Sequence, residues 1–243
     1  MRLLVFSRRT AQEILRDPLN LAFGVGFPVV LLLLLSAIQA NIPVSLFAIE
    51  QLAPGIAVFG LAFLTLFSAS LVAKDRESAF LSRLYTTPLT AADFILGYLL
   101  PVLPIALLQA LITYGVALLL GLPLSVRLLP AVGLILPIAL FFIAIGLLCG
   151  SVLNVKQTGA VCGALFTNLT AWLSGIWFDL ELVGGVYRRI AYALPFVHAV
   201  ELERAAIHGE YAAIGPHLLW VLGYGAAAVA GAVCLFLRQM KRQ

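Results

Sequence analysis

The sequence predicts an all-α integral membrane protein with six transmembrane helices and an amphipathic interfacial helix at its N-terminus. Of its 243 residues, 63% are hydrophobic and only 11% are charged, whereas soluble domains carry about 25% charged and about 45–50% apolar residues. Six apolar blocks reach the length of about 20 residues that a helix needs to cross a bilayer core about 30 Å thick. A chain this short cannot hide so much apolar surface from water, so its solvent is lipid.

The six blocks leave only short links and short ends between them. The first block is predicted to be a retained span, because the apolar region of a cleaved signal is only about 7–15 residues long. The third block is long enough to tilt or to extend into water. Since no segment outside the blocks can fold alone, residues 1–243 are predicted to form one membrane domain. The blocks cover roughly residues 19–40, 53–73, 93–120, 129–151, 158–178 and 214–237.

Residues 1–18 form the predicted interfacial helix. Its basic and polar side chains lie opposite an apolar face, so it lies flat on the membrane surface. Asp17-Pro18 ends it, because the residue before a proline disfavours the helical region. Two roles stay open: a membrane anchor alone, or a lever that joins a cytosolic partner to the first span. The apolar face contains Leu3, Leu4, Ala11, Ile14 and Leu15, and the polar face contains Arg8, Arg9, Gln12, Glu13 and Arg16.

Lysine and arginine predict the orientation. Eleven of the 15 Lys and Arg residues lie in four segments: the N-terminal helix, the link between spans 2 and 3, the link between spans 4 and 5, and the C-terminal tail. Cytoplasmic segments carry the excess of positive charge, so these four segments are predicted to be cytoplasmic. Both termini then lie inside, and residues 238–243 form a cytoplasmic tail.

The link between spans 2 and 3 is predicted to hold a short, stiff helix outside the membrane. Asp75 can cap a helix that starts at Arg76, and Thr87-Pro88 ends it. Residues 90–93 have the form of a capping box that opens span 3. A stripe of apolar side chains gives this helix a binding face, either for lipid or for another protein. The stripe contains Phe80, Leu81, Leu84 and Tyr85.

These features resemble the membrane subunits of ABC-2 type exporters, and the resemblance extends over the whole chain. The link carries an acidic–basic start, a leucine-rich turn, a threonine-proline pair and an "ILG" sequence, which stand here at residues 75–77, 81–84, 87–88 and 95–97. Further similar motifs are "LSGIWFDLE" at 173–181 and "ALPFVHAVELERAAIHGE" at 193–210. This chain has Ser78-Ala79 where many members have a glycine, a departure that concerns the subfamily.

The resemblance implies a partner. In this family a cytoplasmic coupling helix docks in a cleft of a separate ATP-binding cassette ATPase, which uses ATP and Mg²⁺. The chain itself is then a permease in a bacterial cytoplasmic membrane, not an enzyme, and binds no cofactor or metal. It exports an amphiphile, such as a drug, peptide, lipid or lipid-linked sugar, by alternating access. The predicted contacts with the ATPase are Arg76, Glu77, Phe80, Leu81, Arg83, Leu84 and Tyr85.

Small residues recur every four positions in three of the blocks. Such faces let helix backbones approach closely in lipid. They serve either packing within one subunit or, as the resemblance implies, contact with a second identical or different permease beside the export path. The main stripe contains Gly159, Gly163, Thr167, Ala171 and Gly175, and shorter ones contain Gly146 and Gly150, and Gly223, Ala227 and Gly231. The polar candidates for the path are Thr65, Ser68, Thr167, Asn168 and Ser174.

Residues 179–210 are too polar to span a membrane. They predict a helix at 186–194, a break at Pro195 and a second helix through Arg204. This pair is similar to the outer re-entrant hairpin of the ABC-2 permeases, and a plain surface loop is the alternative.

Other functions find less support in the residues. An ion-coupled secondary transporter needs an ionisable residue near mid-membrane, and Asp93 and Arg127 lie at or beyond span ends. An intramembrane hydrolase needs a nucleophile beside a base, yet no G-x-S-x-G surrounds Ser174 and no H-E-x-x-H is present. The basic residues lie at the ends of apolar blocks, which favours the membrane surface over nucleic acid. A membrane scaffold without transport stays an alternative, and it predicts no ATPase partner.

Overall fold

The computed structural model describes residues 2–78 and 90–240 of the chain. Within these residues the chain forms helices joined by short turns. A π-helical segment, in which the helix is locally widened, lies between α6 and α7. The elements are α1 (Arg2–Leu15), α2 (Pro18–Gln39), α3 (Ile49–Glu77), α4 (Ala91–Leu119), α5 (Leu128–Val152), α6 (Val155–Thr158), the π-helical segment (Gly159–Phe166), α7 (Thr167–Leu173), α8 (Leu180–Val183), α9 (Gly185–Ala193), α10 (Pro195–His208) and α11 (Tyr211–Met240).

Five helices of the described residues are long and apolar enough to cross a membrane: α2, α3, α4, α5 and α11. They match the first four predicted blocks and the sixth. The fifth block, predicted at 158–178, differs. Its helix runs from 155 to 173 through α6, the π-helical segment and α7, and it ends early because Gly175 adopts a left-handed φ of 72°. The count of six spans therefore stays a prediction.

Helix α3 lies at the centre of the bundle and packs against α2, α4, α5 and α10. Its contact with α5 is close because two glycines face it. A Cβ on Gly146 would lie 2.5 Å from the carbonyl oxygen of Thr65, and one on Gly150 would lie 2.5 Å from that of Ala69. The small-residue pair predicted in span 4 therefore packs within the chain.

The bundle has two ends, which we name by their contents. The N-terminal end holds α1, the end of α3, the start of α4 and the turn from α5 to α6. There the rings of Phe94 and Phe236 stack with their centroids 4.2 Å apart. The hairpin end holds residues 174–210 and the loop before α5, where Arg127 donates a hydrogen bond to the carbonyl oxygen of His208.

The N-terminal helix packs against the bundle along a stripe that the sequence did not predict. Phe6, Thr10 and Ile14 are buried, whereas Leu4 and Leu15 of the predicted apolar face are exposed. The reason is contact with α4, where the Phe6 ring occupies the space that a side chain on Gly97 would fill. Helix α1 therefore packs against protein along one stripe, and its exposed leucines lie on another.

The prediction that Asp75 caps a new helix is wrong. Helix α3 continues through it to Glu77, and its carboxylate is buried among other helices. The predicted capping box at the start of α4 is confirmed: Thr90 Oγ1 accepts from the Asp93 amide at 3.2 Å, and the Thr90 amide donates to the Asp93 carboxylate at 3.0 Å. The remainder of the predicted coupling helix, residues 79–89, lies outside the described residues.

The helix pair predicted within residues 179–210 is confirmed as α9 and α10, with the break at Leu194. Helix α10 is not a plain surface loop, because it packs against α3, α5 and α11 and most of its side chains are buried. Gly209 ends it in the left-handed conformation, with a φ of 80°.

Candidate functional site

A cluster of polar side chains at the N-terminal end joins α1, α3 and α4. Its centre is the carboxylate of Asp75, which is only 2% exposed. Arg9 on α1 donates to both carboxylate oxygens of Asp75, and the Tyr98 hydroxyl on α4 donates to one of them at 2.6 Å. Arg9 also pairs with Glu13 on its own helix. We call these four residues the polar clamp.

The length of α3 explains how a membrane helix can carry this carboxylate. Its 29 residues extend about 44 Å at about 1.5 Å per residue, which exceeds the apolar core of about 30 Å. Its last turns therefore reach into the polar layer, where Arg9 stays partly exposed. A buried carboxylate is tolerated only when it is paired and hydrogen-bonded, so the clamp fixes the three helices in one arrangement.

Aromatic side chains pack around Tyr98 of the polar clamp. Tyr98 is fully buried, and its ring makes edge contacts with Phe6 and Phe94, each at a centroid distance of 5.0 Å. Such pairs contribute about 0.5–1.5 kcal/mol beyond simple burial. Burial, together with the nearby charge of Asp75, raises the pKa of Glu13 above its ordinary value.

Two of the predicted ATPase contacts lie next to the clamp. Arg76 donates to the carbonyl oxygens of Ser151 and Leu153, and Glu77 accepts from the amide of Val155 at 3.0 Å. Both therefore tie the end of α3 to the turn between α5 and α6. Lys74 adds an exposed ion pair with Asp17, at 3.4 Å. Whether Arg76 and Glu77 also touch a partner stays a prediction, and the other predicted contacts, Phe80, Leu81, Arg83, Leu84 and Tyr85, lie outside the described residues.

Most of the predicted path-lining residues are buried within the described part of the chain. Thr65 and Ser68 are fully buried and donate to the carbonyl oxygens of Phe142 and Leu64. Ser174 is buried as well, and it donates to the carbonyl oxygen of Ala171. Asn168, in contrast, is exposed. A path along this part of the chain is therefore still a prediction, with Asn168 as its accessible candidate.

The predicted stripe of small residues divides in the same way. Thr167 and Ala171 are buried, and a Cβ on Gly163 would lie 3.1 Å from the Leu66 side chain on α3. Gly159 faces open space, and Gly175 makes the turn after α7. In the shorter stripe on α11, a Cβ on Gly231 would lie 3.1 Å from the Leu148 side chain, whereas Gly223 has open space around it. Much of the stripe thus packs within the chain.

The comparison with protein families decides what these features belong to. The family model described as "ABC-2 type transporter" matches residues 1–208. The chain belongs to the ABC-2 type transporter family. A comparison with curated proteins gave no match. The matched residues include all of the polar clamp, the central helices and the hairpin, and they end at the last residue of α10.

Membership of the ABC-2 type transporter family gives the chain a general role. Its members are membrane-spanning permease domains that normally work with an ABC ATPase. The composition and the five long apolar helices likewise indicate a multi-pass membrane protein. ATP hydrolysis in this family belongs to the partner.

Sequence reasoning missed the clamp. Arg9 and Asp75 are 66 positions apart, and nothing in a single sequence pairs them. One signal was present: an acidic residue directly after an apolar block, opposite a helix with arginines, should find a basic partner. A second buried acid, Glu203 on α10, was also missed, because it lies in a segment that looks polar and exposed.

Proposed function

We propose that this ABC-2 permease is the membrane subunit of an exporter that moves an amphiphilic substrate out of the cell, driven by a separate ATPase. The polar clamp is the observation that carries the proposal. It joins the end of α3, which directly precedes the predicted coupling segment at residues 79–89, to α1 and α4. A force applied to that segment would therefore move α1, α3 and α4 together.

The N-terminal end is proposed to face the cytoplasm, because most of the basic residues belong to segments at this end. Closure of an ATPase pair would push on residues 79–89, and Arg76 and Glu77 would pass the motion to the turn between α5 and α6. The fifth-block helix, 155–173, begins at this turn. Its π-helical segment is a local irregularity of the kind often found at functional sites.

A second permease copy is proposed to contact the fifth-block helix. Leu165, Leu169 and Trp172 are exposed there at helical spacing, and Asn168 and Gly159 lie exposed on the same helix. The Asn168 amide donates one hydrogen bond to the carbonyl oxygen of Ala164. An amide has two donor hydrogens and a carbonyl acceptor, and lipid tails cannot satisfy the rest, so this stripe favours a protein partner over lipid alone. The substrate path would then run between the two copies.

The hairpin end is proposed to close the outer side. A cavity of about 550 Å³ opens there, and it is lined by aromatic residues such as Trp177 and Phe178 and by the ion pair of Glu201 and Arg204. Mixed aromatic and charged walls suit an amphiphile as it leaves the protein. The α9–α10 pair is proposed to be the re-entrant hairpin of this gate.

The first prediction tests the coupling segment. Leu84→Asp places a charge in the predicted docking stripe, so we expect the permease to insert normally while losing stimulation of ATP hydrolysis by the bound ATPase. The matched control is Leu124→Asp, at an 85% exposed position of the opposite end, which should keep that stimulation. The measurement is affinity purification in mild detergent, followed by an assay of ATP hydrolysis in vesicles.

Two results would contradict the proposal. One is the absence of any co-purifying ATPase with the unmodified permease. The other is unchanged stimulation of hydrolysis by the Leu84→Asp variant, which would remove residues 79–89 from the contact and favour a scaffold without transport.

A further inference from the structure

Helix α10 carries a buried acid that the proposed transport cycle does not use. Glu203 is 0% exposed. One carboxyl oxygen, Oε2, accepts a hydrogen bond from the Tyr114 hydroxyl of α4 at 2.5 Å. The other oxygen, Oε1, has no hydrogen-bond partner among the described residues. Tyr114 is itself 3% exposed, so the pair is enclosed by protein.

Within residues 2–78 and 90–240, no lysine, arginine or histidine side chain bonds to Glu203. Arg204, its neighbour in the chain, donates instead to Glu201 and to the carbonyl oxygen of Gly175. Arg127, in the loop before α5, donates to the carbonyl oxygen of His208 at the end of α10. An unpaired carboxylate in such a place is very unfavourable, so the group is expected to hold a proton.

The titratable groups on the other helices that pack against α10 bond to residues other than Glu203 or lie beside another part of α10. His217 of α11 bonds to His198 of α10 through the two Nδ1 atoms at 2.9 Å, and the Tyr224 hydroxyl of α11 donates to the carbonyl oxygen of Ala193. Glu50 of α3 lies by His208, at the last turn of α10. Helices α5 and α7 carry no charged residue, and on α9 Arg188 stands over Tyr192. Tyr114 is therefore the titratable group that faces Glu203.

Burial raises the pKa of the Glu203 carboxyl to about 8, and the hydrogen bond from Tyr114 partly opposes this shift. Exposed to water, a glutamate has a pKa of about 4.3. The docked hairpin therefore binds one more proton than an undocked one between these values. Because protonation favours the docked form, docking strengthens as the pH falls and weakens as it rises through this window.

The position of the pair allows exchange with water. Tyr114 lies five residues before the end of α4 at Leu119, or about 8 Å from that end at about 1.5 Å per residue. Movement of α10 away from α4 would thus expose Glu203 to the aqueous side of the hairpin end. The carboxylic acid then releases its proton to water and leaves a hydrated carboxylate.

We propose that Glu203 and Tyr114 form a proton-binding site that links docking of the α9–α10 hairpin to the uptake of one proton. The role of this hairpin as an outer gate rests on the proposed function, whereas the proton site itself does not. Closing the hairpin takes a proton from the outer solution, and opening it returns the proton there. The gate would then open more readily in alkaline than in acidic surroundings.

The test uses the isolated permease in lipid nanodiscs, so it does not depend on an ATPase. Hydrogen–deuterium exchange of residues 195–208, corrected for the intrinsic effect of pH on exchange, reports hairpin opening. In the unmodified protein we expect protection to fall up to tenfold per pH unit between about pH 5 and the midpoint near 8. The Glu203→Gln variant keeps an acceptor for Tyr114 without a titrating group, so it should lose the fall of protection between about pH 7 and 8, a range in which His198, whose pKa burial lowers, stays neutral. Glu210→Gln, beyond α10, should behave as the unmodified protein does.

A spectroscopic titration covers the case in which a variant folds poorly. The infrared carbonyl band of a protonated carboxylic acid should disappear in the unmodified protein with a midpoint near pH 8. The hydrogen bond from Tyr114 stabilises the charged carboxylate of Glu203. Tyr114→Phe removes this bond and should therefore move the midpoint to higher pH. A midpoint near 4, or the same titrating band in Glu203→Gln, would overturn the proposal. Loss of ATPase co-purification, in contrast, would overturn only the exporter.

Discussion

At the scale of single residues, one carboxylate joins three helices that are distant in the sequence. Asp75 receives hydrogen bonds from Arg9 on α1 and from Tyr98 on α4. Each partner neutralises or solvates a charge that has been removed from water, so the energy at stake is larger than that of a surface ion pair. These hydrogen bonds act together with the packing of Phe6 at Gly97 to hold α1 against the bundle.

The second prediction follows from that network. Tyr98→Phe removes a hydroxyl that donates to a buried charged group, and hydrogen bonds of this kind contribute about 1.5–3 kcal/mol. We expect a lower midpoint of thermal unfolding in detergent. The matched control is Tyr224→Phe, because the Tyr224 hydroxyl donates to a neutral carbonyl, that of Ala193, at an exposed site, so its loss should cost about 1 kcal/mol or less. Equal shifts for both variants would contradict the role given to Asp75.

At the scale of elements, close approach of helices depends on glycine. Helices α3 and α5 pack with the backbone of one against the Cα atoms of the other, and Gly146 and Gly150 make this possible. In lipid, where apolar burial alone gives helices no preference for each other, such contacts carry much of the association energy.

The third prediction concerns this contact. Gly146→Ala puts a methyl group 2.5 Å from a backbone oxygen of α3, so the helices must separate, which costs about 1–3 kcal/mol. Gly133→Ala, in the same helix with open space around it, should be neutral or stabilise the protein by up to about 1 kcal/mol. Thermal unfolding of the two variants in detergent gives the comparison, and a loss for both would point to a general effect of alanine in α5.

The elements also show how far a single sequence leads. Hydrophobic length predicted the five long helices, and local side-chain chemistry predicted the capping box at Thr90 and a break at Pro195, which the structure places one residue earlier, at Leu194. The facing of α1 could not be predicted, because it depends on the gap at Gly97 on a distant helix. The clamp and the Glu203–Tyr114 pair were hidden for the same reason: both join residues far apart in the chain.

At the scale of the whole molecule, the two ends of the bundle differ in chemistry. The N-terminal end is held by charged contacts at the end of α3. The hairpin end is held by buried packing of α10 and by the Tyr114–Glu203 pair, and its ion pair of Glu201 and Arg204 lies beside the cavity. In the proposed exporter the ATPase acts on the N-terminal end and the hairpin closes the opposite end. The N-terminal end must therefore face the cytoplasm and the hairpin end the outside.

The orientation itself gives the last prediction. In a variant whose Cys149, Cys162 and Cys234 are replaced by alanine, Leu124→Cys introduces a thiol at the exposed hairpin end and Lys156→Cys one at the exposed N-terminal end. Because the basic residues concentrate at the N-terminal end, a membrane-impermeant maleimide should label residue 124 in intact cells, and residue 156 only after the membrane is opened. The reverse pattern would place residues 79–89 outside the cell, away from ATP, and no cytosolic ATPase could then act on them.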